Sequence, residues 1–197
     1  MKRIVFATGN EGKLREIRMI LADMGVQVLS MKEAGADIEI DETGTTFEEN
    51  ALIKARTVME ATGEVVMADD SGLEVDWLDK APGIYSARFM GEDTSYVIKN
   101  QAILDKLEGV PAPDRTARFV CAIACVFPDG RILQTKETME GIIADQACGS
   151  GGFGYDPIFW LPEKGCTSAE LTAEEKNSIS HRGKALRAMK ALLEDTL

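Results

Sequence analysis

From Phe119 to Phe127 every residue is apolar. A strand built from such a run carries hydrophobic side chains on both of its alternating faces, so it must be covered on both sides, as a central strand of a helix-flanked sheet is. That requirement sets the fold class as layered α/β, and the rest of the chain supplies the layers. Pro128-Asp129-Gly130 turns the run into a partner strand, Arg131 to Met139, as an antiparallel hairpin. The sheet is therefore expected to be mixed rather than purely parallel.

Short apolar runs alternate with helical stretches elsewhere, in the manner of an α/β protein. Lys2 to Ala7 predicts a first strand, broken by Thr8-Gly9-Asn10 before a helix whose apolar positions Leu14, Ile17, Leu21 and Met24 keep the 3.6-residue period until Gly25 ends it. Val26 to Leu29 predicts a second strand. Thr43-Gly44-Thr45-Thr46 precedes a helix from about Phe47 to Ala61, with Thr46 and Glu49 spaced as a capping box and Gly63 closing it. Glu64 to Ala68 predicts a third strand cut off by Asp69-Asp70-Ser71-Gly72. Thr94 to Leu107 and His181 to Leu193 complete the helices. No linker, repeat or low-complexity tract interrupts the chain, so residues 1–197 are expected to form one domain.

Asp and Glu outnumber Lys and Arg by 33 to 22, a formal charge of −11. Binding to a long nucleic acid needs a basic face, and a molecule this acidic repels the phosphate chain. A small polyanion needs only a few cations converging locally. Cys121, Cys125, Cys148 and Cys166 show neither CxxC spacing nor a paired His cluster, which gives no zinc or redox motif. The apolar run Ile4 to Ala7 is far too short for a signal segment or a membrane span. The expectation is a soluble, cytoplasmic protein with no membrane and no nucleic-acid polymer as partner.

Those cations have candidate positions. In Thr8-Gly9-Asn10-Glu11-Gly12-Lys13 a strand ends, glycine frees backbone N–H groups, and a lysine enters the first turn of the next helix, which suits a phosphate. It is not a Walker A loop, because Leu14 replaces the hydroxyl that would hold magnesium. An ordinary strand-to-helix turn with an exposed lysine explains the same segment.

Asp69 and Asp70 follow directly on an apolar strand. Side chains alternate across a strand, so one carboxylate can enter a cleft while the other orients it. Carboxylates beside a phosphate site attract Mg²⁺, a hard ion that takes oxygen ligands and completes its octahedron with substrate phosphates. An Asx-type turn is the competing explanation. Of the acidic groups further upstream, Glu42 and Glu49 are the possible ligands, and capping already accounts for Glu49.

Phe153-Gly154-Tyr155-Asp156-Pro157 lies in a glycine-rich stretch that can continue neither strand nor helix. Glycine permits close backbone approach, an aromatic ring can stack on a planar ligand, and Asp156 can accept hydrogen bonds from ring N–H groups. Lys176 and Ser180-His181-Arg182 stand where the last helix begins, and the only histidine has no nucleophile motif beside it. A ligand-contacting role fits it better than general base.

Taken in order, Thr8-Gly9-Asn10-x-x-Lys13, Thr46-Phe47-Glu48-Glu49-Asn50-Ala51, Ala68-Asp69-Asp70-Ser71-Gly72-Leu73, Pro82-Gly83-x-Tyr85-Ser86-Ala87-Arg88, Phe153-Gly154-Tyr155-Asp156-Pro157, Glu175-Lys176-Asn177 and Ser180-His181-Arg182 closely resemble the inosine triphosphate pyrophosphatase family, the non-canonical purine nucleoside triphosphate pyrophosphatases. The matches run from residue 8 to residue 182. The resemblance implies a two-lobed mixed β-sheet flanked by helices with an active-site cleft between lobes, and a homodimer. It implies hydrolysis of ITP, dITP and XTP to the monophosphate and pyrophosphate with Mg²⁺, cleansing the nucleotide pool.

By the same resemblance Asp70 looks like the general base and a metal-linked carboxylate, Glu42 the second metal ligand, and Ser71 a substrate contact. Thr8, Gly9, Asn10, Glu11, Gly12 and Lys13 would hold phosphates, with Lys176 neutralising them. Phe153, Gly154, Tyr155 and Asp156 with His181 and Arg182 would surround the base. Hypoxanthine and xanthine present O6 as an acceptor where adenine presents an amino donor, so a donor-lined pocket rejects ATP. Two other functions fit the same residues: a pyrophosphatase for modified pyrimidine nucleotides, and a non-catalytic nucleotide sensor.

Overall fold

The computed structural model describes residues 2–196. The chain divides into two compact units, one holding the chain up to Asp70 with Cys121–Glu137 and the residues from Lys184 on, the other holding Ser71–Val120 and Thr138–Gly183.

In the first unit, β1 (Lys2–Phe6) pairs in parallel with β2 (Val26–Ser30) on one side and with the start of β3 (Val65–Val75) on the other, Ile4 standing opposite Val28 and Val65. Between them run α1 (Glu11–Ile20) and α2 (Phe47–Thr62). Ile4, Phe6, Leu14, Ile17, Met67, Ile123, Phe127, Leu186 and Met189 form one buried cluster, which is what the apolar periods of the strands and helices demand.

α1 is shorter than its sequence period predicts. It stops at Ile20, and one tight turn over Ala22–Met24 follows before Gly25 takes a left-handed conformation at φ 65°. Leu21 still reaches the core from this turn, so the apolar period outlasts the helix. α2 starts on Thr46, whose hydroxyl accepts from the Glu49 N–H at 3.1 Å. The expected capping box is only half made: the Glu49 carboxylate accepts from Thr45 N and Oγ1 at 2.7 and 2.8 Å instead.

The larger correction concerns β3, which does not stop at Ala68. It continues through Asp69-Asp70-Ser71-Gly72 to Val75. Aspartate favours a turn when its carboxylate bonds the nearby backbone, and here lysines from elsewhere in the chain take up both carboxylates.

The second unit contains α3 (Tyr96–Lys106), the start of β4 (Thr116–Val126) and the end of β5 (Ile132–Ile143), which runs past the predicted Met139. It also holds elements that short or polar segments concealed: β6 (Phe159–Leu161), β7 (Cys166–Thr167) and α4 (Ala173–Ile179). β5, β6 and β7 pair antiparallel, with Ile142 opposite Trp160. Gly141 permits that pairing, since a Cβ there would lie 2.6 Å from the Trp160 carbonyl oxygen. Leu73, Val75, Ile103, Leu107, Phe119, Met139, Ile158 and Phe159 form this unit's core. The strand order β2-β1-β3-β4-β5-β6-β7 makes the sheet mixed, as the sequence predicts. α5 (His181–Glu194) closes the described chain. No described helix is long and apolar enough to cross a membrane.

Candidate active site

In the first unit, the turn after β1 is tied to itself. Asn10 caps α1, its Oδ1 accepting from Gly12 N at 2.8 Å and Lys13 N at 3.1 Å, while Asn10 N donates to Thr8 Oγ1 at 3.1 Å. The backbone donors expected to be open for phosphate at Gly12 and Lys13 are thus engaged by the Asn10 side chain. Lys13 Nζ crosses to Asp69, donating to its two carboxylate oxygens at 3.1 and 2.9 Å. Glu11 lies exposed in the first turn of α1.

Asp70, one residue on and so directed to the opposite face of β3, meets a different lysine. Lys54 Nζ lies 3.6 Å from Asp70 Oδ1 and 3.0 Å from Glu42 Oε1. Asp70 is only 7% exposed. Burial raises its carboxyl above the ordinary aspartate range, Lys54 pulling the other way and the Glu42 charge reinforcing the rise. Burial works against the charge of Lys54 too, but Asp69, Asp70 and Glu42 together outweigh it and hold the ammonium above the usual lysine value.

Lys54 is absent from the residues singled out above, and Asn50 stands there only inside a motif with no role of its own; it is fully buried, and its Oδ1 accepts from Gly44 N at 2.8 Å. The signal was there. Phe47, Asn50, Ala51, Ala55 and Val58 mark the buried face of α2, and Lys54 stands one turn after Asn50 on that face. A lysine on the apolar side of an amphipathic helix needs a carboxylate partner.

Glu42 and Asp70 offer hard oxygen donors gathered about one cation, the Lys54 ammonium. Among the described residues no cluster of three or more His, Cys, Asp or Glu is placed to hold a metal. A pair of carboxylates suits Mg²⁺ that takes its remaining ligands from substrate phosphates and water, and does not suit a site closed by protein alone.

In the second unit, the glycine-rich segment forms a loop whose aromatic ring is flanked by cations. Phe153 is 58% exposed; Lys176 Nζ lies 4.5 Å and the Arg182 guanidinium 5.5 Å from its ring centre. An exposed ring with cations at its side can stack a flat, electron-rich partner. Asp156, 2% exposed, is committed to the loop itself: Oδ2 accepts from Phe153 N at 2.8 Å and pairs with Lys176, and Oδ1 accepts from Ser168 Oγ at 2.9 Å. These contacts clamp the loop about the carboxylate. Tyr155 points inward, its hydroxyl donating to the Ser86 carbonyl at 2.7 Å. His181 stacks on Phe119, ring centres 5.0 Å apart and 14° from parallel. Arg182 donates to Ser71 Oγ at 3.2 Å.

Fold and side chains together define an α/β protein with carboxylates gathered about a cation in one unit and an exposed ring flanked by cations in the other. The chain belongs to the Ham1 family, whose sequence profile matches residues 4–192. It is 47% identical over 194 residues to the dITP/XTP pyrophosphatase of Bacillus licheniformis, covering 98% of this chain and 99% of that protein. It is 50% identical over 191 residues to the dITP/XTP pyrophosphatase of Desulforamulus reducens, covering 97% and 95%. A solved structure of the Ham1 protein of Staphylococcus aureus, 43% identical, superposes with a TM-score of 0.92 over 100% of both chains.

Proposed function

We propose that this chain hydrolyses the non-canonical purine nucleoside triphosphates dITP, ITP and XTP to the monophosphate and pyrophosphate. Its full-length relatives named dITP/XTP pyrophosphatase support the substrate class. The observation that carries the chemistry is the Lys54 ammonium seated between Glu42 and Asp70.

In the proposed reaction a water oxygen attacks the α-phosphorus, the bond to the β-phosphate bridge oxygen breaks, and pyrophosphate leaves. Asp70 takes the proton of that water. A buried carboxylate whose affinity for protons is raised is a better base than an exposed one. Lys54 and Lys13 offset the negative charge that gathers on the phosphates as the bond breaks. Mg²⁺, held by Glu42 and Asp70, would supply the charge that makes pyrophosphate a good leaving group and lowers the pKa of bound water.

The second unit's residues are proposed to take the base. Phe153 offers its face to the ring, and Lys176 and Arg182 offer donors to O6, which adenine lacks. The mismatch with an amino group can reach on the order of 10⁴-fold. The enzyme is further proposed to work in the cytoplasm as a homodimer. The family resemblance supports the dimer, as do the large apolar side chains of Trp77, Tyr85 and Met90 left more than half exposed in the second unit; light scattering in solution tests it.

Pyrophosphate release measured with dITP, XTP, dGTP and dATP, with Mg²⁺ and with chelator, tests the assignment. Rapid release from dITP and XTP alone, dependent on Mg²⁺, is expected. Equal rates on all four nucleotides refute the selectivity, and nucleotide left intact refutes the enzyme.

A further inference from the structure

The loop proposed to take the base contains a glycine that is easy to deform. Gly154 lies at φ 67°, and with no Cβ its peptide plane rotates at little cost. It is held from α3. Asn100 is 6% exposed, and its Nδ2 donates to the Gly154 carbonyl oxygen at 3.2 Å. Tyr96, one turn earlier on the same helix face, lies beside Gly154 and meets the Tyr155 ring edge-on, ring centres 5.2 Å apart and 89° between planes. The buried Lys99 ties the same helix to the segment at Ala87, its Nζ donating to the Ala87 carbonyl at 2.6 Å.

The orientation of the Asn100 amide follows from its partner. A carbonyl oxygen only accepts, so the nitrogen faces Gly154, and Oδ1 is left buried with no hydrogen-bond partner among the described residues. A buried acceptor left unmet is unfavourable, and an apolar side chain of the same size would avoid it. The donor given to Gly154 is what accounts for an amide at this position.

We infer that Asn100 is a positioning residue for base selection. It fixes the peptide plane between Gly154 and Tyr155, and so holds the Phe153 ring and the Asp156 clamp in the register that a flat ring requires. The inference rests on the reading of residues 153–156 as the base end of the site. Asn100 acts through the loop, so its loss weakens binding and discrimination, while the bond-breaking groups of the first unit are left as they were.

The test compares Asn100→Leu, which keeps the branched shape and removes the donor, with Asn100→Gln, which restores one. Pyrophosphate release is followed with dITP and dATP, and hydrogen exchange at the Tyr155 amide is followed without nucleotide. Expected for Asn100→Leu are a KM for dITP raised about tenfold, kcat within about twofold, a dITP-to-dATP ratio lowered about tenfold, and faster exchange at Tyr155. Asn100→Gln recovers part of each change. Should Asn100→Leu fail to fold, Asn100→Ser, too short to reach Gly154, carries the same expectations. Unchanged discrimination and unchanged exchange in a folded variant overturn the inference while leaving the enzyme assignment intact; a wild type that leaves dITP whole overturns both. An equal loss of kcat on every nucleotide, with KM unmoved, also overturns it.

Discussion

Lys13 and Asp69, 56 residues apart in sequence, are joined through both oxygens of a carboxylate that is 2% exposed. The pair ties the turn at the start of α1 to the middle of β3. Removing the ammonium strips a buried carboxylate of a charged partner, which costs more than an exposed pair would. Lys13→Met is therefore expected to lower stability by about 2 kcal/mol and to raise the KM for dITP. A thermal melt and a substrate titration check it; a variant that melts with the wild type and binds as well removes Lys13 from both roles.

Asp70 gives the opposite sign in stability. Its carboxyl is raised by burial, so folding favours the protonated form. The stability it contributes is complete below the ordinary aspartate value, near 4, and is lost as pH rises through the higher folded value. Asn keeps the shape and never ionises. Asp70→Asn is expected to melt higher than wild type at pH 7, to converge on it towards pH 3, and to lose at least about 10²-fold in kcat through loss of the base. Melts across pH with pyrophosphate release at each point decide this. A variant less stable at neutral pH contradicts the burial argument, and one that turns over normally removes Asp70 from the chemistry.

The apolar run in β4, the helix periods and the glycine breaks made the α/β class and the mixed sheet legible, because burial on two faces leaves an unmistakable composition. The end of β3 was illegible for a physical reason. Asp69 and Asp70 look like a turn when taken locally, and lysines brought in from α1 and α2 help make a charged strand interior tolerable. Lys54 was missed on the same account, since its partners Glu42 and Asp70 lie 12 and 16 residues away in opposite directions. β6, β7 and α4 are too short for a period to declare itself, although Thr172 and Glu175 do form a full capping box at the start of α4. Phe153, Lys176 and Arg182 were legible as separate motifs. The resemblance grouped Phe153 and Arg182 about a base, but the placing of both Lys176 and Arg182 beside the Phe153 ring follows from tertiary contact, which no sequence spacing encodes.

Asp76 should govern part of the acid limb of stability. Arg118, Lys80 and Thr116 all hydrogen-bond its carboxylate and hold it well below the usual carboxylate range. A depressed folded value means stability that is present above the unfolded value, near 4, and lost as pH falls below it. The urea midpoint of Asp76→Asn is expected to lie below that of wild type at pH 7, with the gap narrowing steadily as pH falls below about 4. Parallel curves over that whole range would show that the Arg118 network leaves Asp76 energetically as it is in the unfolded chain.

Gly152 tests the loop itself. Its φ is 69°, and a Cβ there would clash with the Asp156 carboxylate, with the Cγ 2.9 Å away. Asp156 cannot retreat without giving up Phe153 N, Ser168 Oγ and Lys176 together. Left-handed backbone adds strain for alanine whatever space is found. Gly152→Ala is therefore expected to lower stability by about 2 kcal/mol and to raise the KM for dITP about tenfold or more, through displacement of Phe153. Gly130 serves as control: its φ is 91°, but nothing lies within 4 Å of a Cβ built there. Gly130→Ala pays the backbone strain in the β4–β5 turn and leaves the loop untouched, so its KM should equal that of wild type. Equal KM values for the two variants would show that strain alone, and not the clamp on Asp156, sets the outcome.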